Sequence, residues 1–218
     1  MLLNGDAGKI NKEQHEYMRE IYEGNQRMVE LVDSLLNVSR LEVGKLKNEP
    51  QHTSMLDLAA SLEKEMQTSI VSKKMAFKKE LDANVPTLYA DPKLLRMIVQ
   101  NLLSNAIKYT PAEGTVTLVM REATAAEVSA AKLRSGQPYF FMSVSDTGYG
   151  IPKEQQPKIF EKLFRADNVR KLDVEGTGLG LYIIKEVSKK LGGAIWFESK
   201  ESAGTTFYVV LPFKTDPS

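Results

Sequence analysis

Asn101, Asn105 and Lys108 stand four and three residues apart in the run Asn101-Leu-Leu-Ser-Asn-Ala-Ile-Lys-Tyr-Thr110. On a helix that spacing puts all three on one face. An amide oxygen is a hard, neutral ligand for Mg²⁺, an ion that keeps several waters and takes other oxygens from a nucleotide. A lysine ammonium is a point charge suited to phosphate. A second run is Asp146-Thr-Gly148-Tyr-Gly150-Ile-Pro152. An aspartate at the mouth of an apolar strand can accept from an exocyclic amino group, and two glycines two apart let backbone approach a ligand closely. A third run, Gly176-Thr-Gly178-Leu-Gly180-Leu, opens an amphipathic pattern that continues to Leu191. Its amides and the helix N-terminus suit phosphate. It follows the polar run Arg170-Lys-Leu-Asp-Val-Glu175 instead of a strand, so it fails the context test for a dinucleotide fingerprint. No Gly-Lys-Ser/Thr follows, so it is not a P-loop either. Each run alone has a plain alternative: a solvated helix face or an ordinary Asp-Gly turn.

The elements that must position these residues are readable from periodicity. After Asp91-Pro92, the residues Leu95, Ile98, Val99, Leu102 and Ala106 make one helical apolar stripe, with the two amides and the lysine opposite. Residues 1–8 read as the end of an element and a polar turn. From about Ile10 to Val43 runs one long helix, with Met18, Ile21, Asn25, Met28, Val32 and Leu35 at coiled-coil-like spacing. Tyr22, Leu31, Leu36 and Val38 widen that stripe toward a bundle. A long helix needs a partner for such a stripe, so a homodimer is expected through this segment. Gly44 ends the helix, and the domain boundary falls near Lys45: residues 1–45, then 46–218.

In the second unit Asn48–Thr53 reads as extended, Ser54 as the cap of a helix to about Val71, and Met75–Leu81 and Thr87–Ala90 as strands. Thr115–Arg121 and Tyr139–Ser145 follow as strands, the latter central. Ala123–Pro138 reads as an exposed insertion with room for a short helix. Gly192-Gly193 separates a helix from closing strands at Ala194–Ser199 and Thr205–Pro212. This order predicts an α+β fold: a two-layer α/β sandwich, with helices on one face of a mixed sheet.

Composition narrows the classes. The net charge of +1 gives no bulk electrostatic case for nucleic acid. With no cysteine, disulfides, thiol catalysis and Cys-ligated metals are excluded. No apolar run is long enough to span a bilayer, and the start lacks the form of a signal peptide.

The three runs, together with Ile159-Phe160-Glu-Lys-Leu-Phe164-Arg165 and Gly204-Thr-Thr-Phe207, resemble in order and spacing the N, G1, F, G2 and G3 boxes of sensor histidine kinases. The resemblance covers about residues 46–213, and the preceding helix is similar to the second helix of that family's dimerisation and phosphoacceptor hairpin. It implies a Bergerat-type fold that binds ATP with Mg²⁺. Asn105 would be the principal Mg²⁺ ligand and Asn101 its neighbour. Lys108 would approach the phosphates and Tyr109 would pack beside the nucleoside. Asp146 would take the adenine amino group, with Gly148, Gly150 and Ile151 shaping the pocket. Residues 153–175 would be a mobile lid hinged on Phe160 and Phe164. Arg165 would touch the γ-phosphate or the acceptor helix. Gly176, Thr177, Gly178 and Gly180 would wrap the phosphates while Leu179 and Leu181 pack, and Thr205 and Thr206 would line the far wall. Asn101, Lys108 and Arg165 are the catalytic candidates. The implied activity is protein-histidine kinase, feeding a response-regulator receiver domain. The implied place is the cytoplasmic portion of a parent kinase, whether or not that parent is anchored in a membrane.

One departure stands out. The family's acceptor histidine is followed by Glu and soon by Pro. This chain has only His15 and His52, and Glu16-Tyr-Met-Arg-Glu20 supplies no proline after His15. The acceptor helix is therefore expected upstream or on another chain. Related ATPases of the gyrase and Hsp90 type carry a Glu where Asn101 stands, and an amide cannot serve as a base. The remaining alternatives are an anti-sigma-type serine kinase and a non-catalytic nucleotide-binding and dimerisation module. The expected outcome of incubation with radiolabelled ATP is no acid-labile label on this chain; labelling of His15 or His52 would reverse that reading.

Overall fold

The computed structural model describes residues 8, 10–170 and 176–213. The chain divides into two compact units, Met1–Lys45 and Leu46–Ser218. Apart from Gly8, the turn expected over residues 1–8 lies outside the described residues.

Among its described residues the smaller unit has one helix, α1, Lys12–Glu42. It starts where Asn11 leaves the extended region. The Asn11 side chain accepts from Gln14 N at 2.8 Å, and the Gln14 side chain accepts from Asn11 N at 2.9 Å. Two otherwise orphaned donors are thereby satisfied reciprocally. It stops before Gly44, whose φ of +65° costs a glycine little. Along α1 the apolar seam is open to solvent: Ile21 is 66% exposed, Met28 61% and Val32 50%.

The larger unit runs β1 (Gln51–Thr53), α2 (Met55–Ser72), β2 (Ala76–Leu81), β3 (Leu88–Ala90), α3 (Pro92–Tyr109), β4 (Thr115–Glu122), α4 (Ala125–Ala130), β5 (Tyr139–Asp146), α5 (Asp167–Arg170), α6 (Gly180–Lys190), β6 (Ala194–Lys200) and β7 (Gly204–Pro212). Five strands form one sheet in the order β2-β4-β5-β7-β6; β1 and β3 form a separate ribbon. Among the described strands of the sheet only β2 and β4 run parallel, so the sheet is mixed. No described helix is long and apolar enough to cross a membrane.

Helix α3 is the pivot of this unit. Asp91 caps it, accepting from Lys93 N at 2.8 Å, and Pro92 takes a first-turn position where a missing N–H does no harm. The other Asp91 oxygen accepts from Glu49 N at 2.9 Å, tying the start of the unit to the same cap. The helix packs against α2, α6 and β5. It therefore buries more than the expected stripe: Leu94, Leu103 and Ile107 join Leu95, Ile98, Val99, Leu102 and Ala106. Strand β5 is buried on both sides. Alternation sends Phe140, Met142, Val144 and Asp146 toward the helices, and Tyr139 and Phe141 the other way.

The segment read as an exposed insertion is mostly exposed and does hold a short helix, α4, anchored by one buried residue, Val128. Thr124 and Glu127 make a capping box for α4, and Val128 packs on Tyr139, Phe141 and Val210 from the face opposite α2, α3 and α6. Arg121 donates to both Glu127 carboxylate oxygens, at 2.8 and 2.6 Å, and lies 4.1 Å over the Phe141 ring. That guanidinium, with the Thr124 donors, holds the Glu127 carboxyl down at about 2. One valine among alanines and serines suffices here because the strand beneath is aromatic.

Replacing Ile98, fully buried between α3 and its neighbours, by Ala is expected to cost about 2–5 kcal/mol, the range for deleting buried methylenes. In urea the midpoint should fall while the slope holds.

Candidate functional site

The three polar residues of α3 sit on a half-buried flank, not on a solvated one. Asn101 Nδ2 donates to Met97 O at 2.8 Å, one turn back, which aims Oδ1 outward. There it meets the start of α6: a Cβ on Gly180 would collide with Asn101 Oδ1. Among the described residues the Asn105 side chain takes part in no hydrogen bond, so its amide oxygen is available.

Lys108 and Tyr109 leave the end of the helix together. A Cβ on Gly176 would lie 3.3 Å from Tyr109 Oη, 3.4 Å from Lys108 Nζ and 4.0 Å from Arg165 Nε. Three side chains, two from the end of α3 and one from residue 165, thus lie around one glycine. Burial pushes the Tyr109 phenol up, with the Arg165 charge opposing it, so it is a neutral donor at physiological pH.

Gly178 has φ +70°, and a Cβ there would come 2.7 Å from the Leu163 carbonyl carbon. The 176–180 loop therefore lies directly on residues 163–165. Thr177 Oγ1 accepts from Leu179 N at 3.3 Å, Leu179 is buried, and Leu181 is half-buried. No side chain caps α6. Its first amides therefore remain open to an anion.

Asp146 ends β5 on the helix-facing side, opposite Thr205 of β7. Its Oδ1 accepts from Gly148 N at 2.8 Å and Thr205 N at 3.3 Å. Both bonds fall on one oxygen, leaving Oδ2 as the acceptor for a ligand. Burial raises this carboxyl to about 6, with the two amides pulling the other way. Gly148 is required because a Cβ would strike the Tyr109 carbonyl, which accepts from Tyr149 N at 3.2 Å. Gly204, at φ +95°, is required by the Asp146 carbonyl. Ile151 N donates to Ser199 Oγ at 2.9 Å.

Two expectations change. Thr205 shares the face of Asp146, but Thr206 points through the sheet and meets Ser145 Oγ at 2.8 Å. Adjacent strand residues alternate between the two faces of the sheet. Nor is the segment from 153 free along its length. Gln156 Nε2 donates to Ile151 O at 3.1 Å and Ser199 O at 3.0 Å. Gln155 Nε2 donates to Asp167 Oδ2 at 2.7 Å, and Asn168 Nδ2 to Gly150 O at 3.0 Å. Residues 151–170 are fastened by amide side chains; residues 171–175 lie outside the described residues. Phe160 stands edge-on to Phe197 at 5.9 Å and Phe164 is half-buried. Sequence reasoning missed Gln155, Gln156 and Asn168, since a loop amide carries no spacing signal. His15 lies exposed on α1, and His52 sits in β1 with its ring 5.2 Å from that of Tyr89.

Comparison with known proteins bears on this geometry. Residues 90–215 match the family described as histidine kinase-, DNA gyrase B-, and HSP90-like ATPase. The chain is 34% identical over 217 residues to the circadian input-output histidine kinase CikA of Synechococcus elongatus, covering 98% of this chain and 27% of that protein. It is 34% identical over 185 residues to the adaptive-response sensory kinase SasA of Gloeothece citriformis, covering 85% of this chain and 44% of that protein. The chain thus spans between a quarter and a half of these relatives' length. Among solved structures, full-length ShkA in complex with AMPPNP superposes with a TM-score of 0.74 at 25% identity, over 98% of this chain and 42% of that one. Histidine kinase ThkA in complex with response regulator protein TrrA shares the fold, with a TM-score of 0.69 at 19% identity over 98% of this chain and 55% of that one.

The raised Asp146 pKa sets a sign for stability. The folded state holds a proton that the unfolded state releases between the ordinary carboxylate value and about 6. Unfolding free energy should therefore fall as pH rises through that window. The fall is up to about 3 kcal/mol, since each tenfold difference in proton affinity between the two states is worth about 1.4 kcal/mol. Denaturant melts of wild type and Asp146→Asn from pH 4 to 7 should diverge by this component; parallel profiles would contradict the buried carboxyl.

Proposed function

Because the chain belongs to the histidine kinase-, DNA gyrase B-, and HSP90-like ATPase family, we propose that its larger unit is the ATP-binding catalytic part of a histidine kinase. Asn105 carries the reading: a half-buried amide with no hydrogen bond among described residues, on the same flank as Asn101 and Lys108. That donor chemistry fits Mg²⁺, which when bound would neutralise phosphate charge. Asn105 would hold it, with Asn101 beside it. Asp146 Oδ2 accepts from the adenine amino group. Lys108, Arg165 and the amides of residues 176–180 draw the phosphates toward the uncapped start of α6. Tyr109 donates from the same cluster.

The work of these residues is positioning and charge stabilisation, as suits phosphoryl transfer. An imidazole nitrogen attacks the γ-phosphorus in line while the bond to the β,γ-bridging oxygen breaks and ADP leaves. No carboxylate occupies the Asn101 position, so nothing there activates water for hydrolysis. The acceptor histidine comes from outside this chain, since neither His15 nor His52 has the sequence setting of an acceptor. A response-regulator aspartate then receives the phosphoryl group. The exposed apolar seam of α1 supports a homodimer through the smaller unit.

Asn105→Ala is expected to abolish Mg-ATP binding by calorimetry while sedimentation still shows a dimer. Mg-ATP affinity retained by Asn105→Ala would remove its assigned role, and absence of heat with folded wild type would remove the whole reading.

A further inference from the structure

A helix leaves its last carbonyls without partners of its own. At the end of α3 each of these groups is taken by a donor from outside the helical ladder. Lys73 Nζ donates to Ile107 O at 2.8 Å, Lys108 O at 3.0 Å and Thr110 O at 2.9 Å. Tyr149 N takes the Tyr109 carbonyl. Thr110 Oγ1 takes Ala106 O at 2.6 Å. An ammonium has three protons, and all three of Lys73's go to main-chain oxygens.

The lysine is itself fixed. It is the C-cap of α2, and its own carbonyl accepts from Glu113 N at 2.8 Å in the loop after α3. Desolvation lowers its pKa, as expected for a half-buried ammonium. A cation at a helix C-terminus complements the dipole wherever it lands. Here, however, the clamped carbonyls bracket Lys108 and Tyr109, the two residues that α3 sends to the cluster around Gly176 and Arg165.

We propose that Lys73 is a positioning residue of the nucleotide site, fixing the direction in which the Lys108 and Tyr109 side chains leave the end of α3. It touches no nucleotide and acts through Lys108. The proposal rests on the nucleotide reading above.

A double-mutant cycle tests it against a role in stability alone. Mg-ATP affinity is measured by calorimetry for wild type, Lys73→Met, Lys108→Ala and the double variant, below every melting temperature. Lys73→Met should weaken binding about tenfold, and adding it to Lys108→Ala should cost less than about threefold more, because effects that pass through one group are not additive. Folded Lys73→Met that binds like wild type overturns the proposal, as do losses that multiply. Should the methionine variant not fold, Lys73→Gln, which keeps an N–H donor, enters the same cycle under the same criteria. Wild type that binds no Mg-ATP removes the nucleotide reading and this proposal with it, whereas binding wild type with an unaffected Lys73 variant removes only the latter.

Discussion

Close approach of backbone to backbone is the constraint on which this site depends. The loop after β5 can lie on the end of α3 only because residue 148 has no Cβ to strike the Tyr109 carbonyl. The β6–β7 turn can reach the Asp146 carbonyl only because residue 204 is glycine in a left-handed conformation. The 176–180 loop can rest on Leu163 and Phe164, and α6 can start against Asn101, for the same reason at Gly178 and Gly180. At Gly148, Gly178 and Gly204 the close neighbour is main chain, and at Gly180 it is the Asn101 side-chain amide. The glycines thereby bring together segments far apart in sequence. At Gly180 the uncapped start of α6 also leaves amides that a phosphate can use.

This packing places polar groups where water is scarce. A carboxylate against the core, a phenol beside a guanidinium and an ammonium facing three carbonyls would each be costly if left unmatched. Asp146 is stabilised by two amides, yet burial still wins and its affinity for a proton rises. Lys73 has full hydrogen bonding and still loses basicity. Such a site is preorganised: its dipoles are fixed before a ligand arrives.

Much of the architecture is legible in the sequence because strong local signals bound it. Asp91-Pro92, Ser54 and Gly44 each carry a capping or stop mechanism, and the elements begin or end there. The positions of Asn101, Asn105, Lys108 and Asp146 follow from period and strand end. What stays hidden depends on partners that sequence does not spell. Lys73 holds carbonyls, which every residue has. Thr206 departs from the expected wall because its direction follows from pairing Asp146 with Thr205, a register visible only in the assembled sheet. The segment at 123–138 looks solvated because its single buried valine is recognisable only against Tyr139 and Phe141.

That short helix has a consequence for handling the domain. Tyr139, Phe141, Val210, Trp196 and Tyr208 form an aromatic-aliphatic surface on the side of the sheet away from the long helices. Contiguous surface of this kind promotes sticking between molecules when bared. Trimming residues 124–137 as a dispensable loop would leave the nucleotide side untouched and yield a protein that clumps during purification.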